Sequence, residues 1–324
     1  MLWFTALFLT VVNVVAPWSS AQETIQDWSK KVVELQEKEG QNFEQDLQLA
    51  KGFLYLQRRQ EALALLNRLM TKGSHQKDAR LNDLYETAST QFFFQDTAEL
   101  YSEVVQLIEE ESWGEAKEKT ETALQKESRH RLLTLREIQL GLVLGQVDRI
   151  SETVRIADSL FSESSELKVY DAWINLNKND AKEAFRILSS LMLTDKKIFE
   201  KSEVPSLAYF QSSELNKHGV DWSLFSKIVQ NHPEWVGMRV WRLKNKSFTP
   251  MDRAKEVQQL KDLFSDLKKL KDWRGKQEKE STYFYSGIVS LEKTKASFDE
   301  WIVEEDAKNS AQKSAHEPAK DQNK

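Results

Sequence analysis

The feature that most constrains this chain is a period. Ala116, Ile150 and Ala184 stand 34 residues apart, and the columns around them keep their character. Val104, Ile138 and Ala172 lie twelve residues before these anchors, and Ile108, Leu142 and Leu176 lie eight before. Trp113, Val147 and Ala181 precede them by three, and Ala123, Ala157 and Leu191 follow by seven. Such spacing puts the apolar residues of each segment on one face of an α-helix. Glu111, Gly145 and Asn179 fall between the two halves of each unit, and Gly and Asn tolerate the left-handed backbone at a helix end. Each unit therefore reads as helix, turn, helix. A pair of short helices cannot bury both apolar faces alone, so the pattern predicts stacking on neighbouring pairs.

An earlier pair fits the same description. Leu47, Ala50, Phe53 and Leu54 share one helical face, and Ala62, Leu65, Leu66 and Leu69 another, with the polar break Gln57–Gln60 between them. Ala62 and Ala116 are 54 residues apart, which is not a multiple of 34. The intervening "ARLNDLYETASTQFFFQ" (Ala79 to Gln95) reads as one additional helix or as a degenerate repeat anchored at Ala98. Ten Gly and five Pro in 324 residues leave few turn makers for a β protein, so the expected class is all-α.

The period, with the small residues Ala62 in "QRRQEALALLNRL" and Ala184 in "NKNDAKEAFRILSSL", resembles the tetratricopeptide repeat family. The resemblance covers roughly Phe43 to Met192; the Pro that commonly ends such repeats is absent, and Ile150 replaces the small residue in one unit. It implies a right-handed superhelical array of antiparallel helix pairs, a TPR-like α-solenoid, over residues 22–200. It also implies that the first helices of successive pairs line a concave groove. Carried onto this sequence, the groove rows are Tyr101, Leu135, Val169; Val105, Gln139, Trp173; and Glu109, Val143, Asn177. Tyr101, Gln139, Trp173 and Asn177 are the resulting candidates for partner contact.

Beyond Met192 the period fades, and residues 201–303 read as a C-terminal helical region that caps the array. Two helices are expected in Glu203 to Trp235, with Pro205 near the start of the first, His218-Gly219 ending it, and Pro233 starting the next. Pro250 to Trp273 reads as one longer amphipathic helix, and short helices are expected around Tyr283–Leu291 and Phe298–Ile302. Residues 304–324, polar and without aromatics, read as a disordered tail.

The first 21 residues, "MLWFTALFLTVVNVVAPWSSA", carry an apolar run too short to span a bilayer comfortably, then Pro17 and a small-residue site ending at Ala21. They read as a cleaved export signal or a retained anchor, although no Lys or Arg precedes the run. No other segment is apolar enough to span a membrane, so the mature chain is expected to be soluble. The absence of Cys rules out disulfides, thiolate catalysis and Cys-ligated zinc. An exported protein without disulfides depends on a packed core.

Recognisable catalytic signatures are missing: there is no His-Glu-x-x-His, Gly-rich phosphate loop or Gly-x-Ser-x-Gly. The five His residues are scattered, and the carboxylates of Ile108–Ser112 and Glu304–Lys308 read as solvated faces. Neither an enzymatic activity nor a cofactor is expected. The net charge of −5 argues against nucleic acid, which requires a dominant basic surface. The stretch Lys268–Lys279 is locally basic but interrupted by Asp272 and Glu278. Trp235 and Trp241, six residues apart, do not share a helical face; they are core residues or a possible aromatic contact surface. The expected function is an extracytoplasmic, periplasmic scaffold that binds another protein of the cell envelope. An accessory module of a cell-wall enzyme system and a chaperone-like factor remain the alternatives.

Overall fold

The computed structural model describes residues 25–40, 42–71, 75, 78–161, 164–279 and 290–316. The expected export signal therefore lies outside the described residues. Every regular element among the described residues is an α-helix: α1 (Ile25–Gln36), α2 (Phe43–Tyr55), α3 (Arg59–Thr71), α4 (Ala79–Thr90), α5 (Gln95–Glu109), α6 (Trp113–Lys126), α7 (Arg131–Val143), α8 (Val147–Phe161), α9 (Ser165–Asn177), α10 (Ala181–Thr194), α11 (Lys197–Lys201), α12 (Glu203–Leu215), α13 (Trp222–Asn231), α14 (Val236–Asn245), α15 (Pro250–Phe264), α16 (Leu267–Lys279) and α17 (Leu291–His316). The period thus appears as the pairs α5/α6, α7/α8 and α9/α10, whose second helices begin at Trp113, Val147 and Ala181. Anchors Ala116, Ile150 and Ala184 have no exposed surface.

The turns repeat as well. Gln57, Glu111, Gly145 and Asn179 all have φ between 58° and 73°. In each turn the following amide reaches back five residues: Arg58 to the Phe53 carbonyl (2.7 Å), Ser112 to Leu107 (2.8 Å), Gln146 to Gly141 (2.8 Å) and Asp180 to Asn175 (2.8 Å). This is the Schellman closure, which occupies carbonyls that a helix end leaves without partners. Only Gly145 adopts the left-handed region without steric penalty; the other three pay for the turn with backbone strain of about 1 kcal/mol each. Inside α7, Gly141 lets α8 approach closely, since a Cβ there would lie 2.1 Å from Ile150 Cγ1.

Contacts divide the chain into two compact units, the first ending at Ile174 and the second beginning at Asn175, inside α9. In the first unit, consecutive helices pack as α1 on α2, α2 on α3, α3 on α4, α5 on α6, α6 on α7 and α7 on α8. The stretch Ala79 to Gln95 supplies the additional helix α4, and Ala98 belongs to the first helix of the next pair. Two further contacts join helices distant in sequence: α4 packs on α7, and α3 on α8. With α5 on α6 they add nested contacts to the consecutive helix pairing, which is that of an all-α solenoid. The nest is closed by hydrogen bonds to the Leu160 carbonyl, in the last turn of α8, from Asn67 Nδ2 (3.1 Å) and Tyr85 Oη (2.8 Å).

In the second unit α10 packs on α12, with Phe185 and Tyr209 rings 5.9 Å apart, which ties α10 to the C-terminal helices. Pro205 lies in the first turn of α12, and that helix ends through left-handed Lys217 and Gly219, beside the expected stop. Pro233 precedes α14. Val236, Val240, Leu243, Leu260, Phe264, Leu270, Leu291, Phe298 and Trp301 form one core among α14, α15, α16 and α17. The single helix expected over Pro250–Trp273 is broken at Ser265-Asp266. Asp266 Oδ1 accepts the Lys269 amide (3.0 Å) and Ser265 Oγ donates to the Asp262 carbonyl (2.6 Å), local bonds that compete with a continuous helix. Phe298–Ile302 is part of α17, not a separate helix; most of Tyr283–Leu291 lies outside the described residues. Helix α17 also runs through 304–316, where the composition had suggested a tail; Ala, Lys, Glu and Gln favour helix, and the first Pro comes at 318.

Candidate functional site

Helices α5, α7 and α9, the first helices of three successive pairs, meet around a buried cation. Arg136 on α7 is 5% exposed. Its Nη1 donates to Gln139 Oε1, one turn on (2.7 Å), and its guanidinium donates to the Tyr101 phenol oxygen from α5. Glu166 of α9 lies 3.9 Å away, beyond hydrogen-bond distance, with its side chain 14% exposed. Tyr170, one turn along α9, donates its hydroxyl to Glu166 Oε1 (3.3 Å).

The electrostatics follow from this packing. Burial works against the Arg136 charge, but Tyr101, Glu166 and Tyr170 together hold its proton more tightly than water would. Burial pushes the Glu166 carboxyl above its ordinary range, with Arg136 opposing. Burial and the neighbouring Glu166 push the Tyr170 phenol well up. The cluster is thus a largely buried, charge-bearing contact that links the three helices.

Of the four groove candidates, Tyr101 is half-buried in this cluster. Gln139 has no exposed surface, so it supports Arg136 and presents nothing to a partner. Trp173 is half-buried on α9, one turn beyond Tyr170, and Asn177 is exposed in the last turn of α9, within the second unit. Leu135 and Val169, from the first groove row, are core residues. Sequence reasoning passed over Arg136, Glu166 and Tyr170. The available signal was Arg136 itself, a charge close to the apolar columns of Leu135 and Ile138 and standing one period before Tyr170.

A second polar assembly lies at the loop between α4 and α5. Arg59, 4% exposed, donates to the carbonyls of Ala88 (2.7 Å) and Gln91 (2.7 Å) and to Glu127 Oε2 (2.6 Å). Its guanidinium lies over the Phe93 ring, 4.3 Å from the centroid. Glu127 Oε1 accepts the amides of Phe93 (2.9 Å) and Phe94 (3.0 Å). Burial lowers the Arg59 pKa to about 10 in spite of Glu127. His130, just before α7, stacks on Phe92 with centroids 4.0 Å apart.

Trp235 is 2% exposed and stacks on His232 at 3.9 Å, a core position at the start of α14 and not a contact surface. Trp241 is half-buried against Trp222 (5.7 Å) and Phe225 (5.6 Å), and the Lys246 ammonium sits 5.3 Å from the Trp222 ring. Among the described residues, no helix is long and apolar enough to cross a membrane.

No protein-family model matches this sequence, and no curated protein or solved structure matches it. The functional reading therefore rests on the chain's own residues.

Proposed function

We propose that this protein is a non-catalytic helical adaptor that receives a segment of another protein on the face built by α5, α7 and α9. The carrying observation is the Tyr101–Arg136–Glu166–Tyr170 cluster, which ties three first helices together one turn from Trp173 on α9. A surface fixed in this way loses little side-chain and backbone freedom when a partner docks, which favours binding by an extended or helical segment. In this reading the pairs wind as divergent relatives of the tetratricopeptide repeat, in a right-handed superhelix capped by the C-terminal helices. The apolar N-terminal segment supports export and a periplasmic site of action, with an envelope protein as partner.

Affinity enrichment from native envelopes tests the proposal, using the tagged chain beside a Trp173→Ala/Asn177→Ala version. The expected result is a dominant partner that is lost with the double change. A partner retained at equal yield would make this face structural and move the search to the Trp222–Trp241 surface.

A further inference from the structure

The Gln91–Phe94 loop is held by three ionisable side chains, and they differ in how their polar atoms are satisfied. Arg59 and Glu127 bond to each other and to the loop backbone. His130 stacks on the Phe92 ring and has no exposed surface; its one polar neighbour, the Thr90 backbone, lies outside normal hydrogen-bond geometry. Buried polar groups left in this state are uncommon and call for an explanation.

We propose that His130 is an acid-sensitive latch, whose protonation opens the Phe92 stack and releases the Gln91–Phe94 loop from the start of α7.

The charges around His130 favour opening. Arg59 approaches from α3 and Arg131 from α7, and both repel an imidazolium. The nearby carboxylates are engaged: Glu127, at the end of α6, by Arg59 and two loop amides, and Glu86, on α4, by both Nη atoms of Arg131 (2.7 and 3.0 Å). From the α5 side the facing group is Tyr101, whose ring lies 5.4 Å from Phe92 and whose oxygen is bonded by Arg136. The Thr90 backbone is the one neighbour that favours the proton. Burial, then Arg59 and Arg131, accordingly hold the imidazole well below its ordinary value of 6.5. Opening the stack lets water solvate the cation, which relieves the burial penalty and screens Arg59 and Arg131. His75, His218 and His232 lack this coupling. They also stack on rings, of Phe43, Phe185 and Trp235, but each retains access to solvent, and His232 already faces Glu234 at 3.1 Å.

Hydrogen exchange on the full chain, corrected for the intrinsic pH dependence of exchange, tests the latch alongside an NMR titration of the imidazoles. Between about pH 7.5 and about pH 5, amides of residues 91–94 should lose protection by about tenfold or more, because each unit of pKa displacement is a factor of ten in population. His130→Gln, which cannot titrate in this range, should flatten the response. A combined His75→Gln/His218→Gln/His232→Gln chain should keep it. Unchanged loop protection while His130 takes up its proton would overturn the proposal, as would a full response in His130→Gln, which would assign the effect to another group. If His130→Gln does not fold, the wild-type comparison decides: His130 titration and loop exchange must share one midpoint. The readout is loop protection rather than partner binding, so the latch stands or falls independently of the adaptor reading.

Discussion

Arg59 and Glu127 lie 68 residues apart in sequence and form a 2.6 Å ion pair in which both side chains are almost fully buried. Between them they reach the end of α4, the loop amides of Phe93 and Phe94, and the end of α6. Removing one member leaves a buried charge, so Glu127→Ala should cost about 3–5 kcal/mol in urea unfolding. The paired change Arg59→Met/Glu127→Leu removes both charges and should destabilise by clearly less than the two single changes added. An additive double variant would mean that the pair is not energetically coupled.

The Leu160 carbonyl accepts from both Asn67 and Tyr85, and this redundancy predicts a specific non-additivity. Either Tyr85→Phe or Asn67→Ala leaves one donor in place and should cost about 0.5–1.5 kcal/mol. The double change orphans the carbonyl at a helix end, so a denaturant-based cycle should show a loss greater than the sum.

Two helical glycines should respond to alanine in opposite directions. At Gly141 the added Cβ meets Ile150 Cγ1 at 2.1 Å, so Gly141→Ala should destabilise by about 1–3 kcal/mol despite the better helix former. Gly114, in the first turn of α6, has nothing within 4 Å of such a Cβ, and Gly114→Ala should stabilise by about 0.5–1 kcal/mol. Thermal melts of the two variants check both signs, and in an Ile150→Ala background, which lacks the clashing Cγ1, the Gly141→Ala penalty should disappear.

Glu166 gives a pH prediction. Its folded-state pKa is raised above the ordinary 4.5, so between these values the folded state binds more proton than the unfolded chain. Stability linked to this group is therefore greatest below pH 4.5 and declines as pH rises through the folded pKa. The stability of wild type relative to Glu166→Gln should fall correspondingly from about pH 4.5 upwards, measured as urea midpoints across pH; a constant difference would contradict it.

Much of the local architecture was legible because it repeats. Trp113, Val147 and Ala181 mark the starts of α6, α8 and α10, and the left-handed positions Glu111, Gly145 and Asn179 follow the same 34-residue step. Column residues such as Val104, Ile138 and Ala172 are buried as their periodicity requires. What was not legible depends on groups that periodicity does not describe. The Leu160 cap uses a backbone oxygen, which looks the same in every residue. Gln139 shares a column with Val105 and Trp173, yet Arg136 turns it into an internal acceptor. The break between α15 and α16 comes from two short polar side chains, Ser265 and Asp266, within an otherwise continuous apolar seam.

The nested packing of α3 on α8, α4 on α7 and α5 on α6 bears on how this half of the molecule can change over time. A row of helices touching only adjacent members can be lengthened by duplication, because each new copy meets surfaces like those it displaced. Here a 34-residue copy inserted between α4 and α7 would have to bulge outward, since the outer partners already hold each other at Leu160. The first unit also has to bring segments some 70 to 90 residues apart together before its core closes, which slows folding relative to helices built from local contacts. Insertion inside the α3–α8 stretch is constrained by these contacts, so change there is expected by substitution and loop variation rather than by copy number.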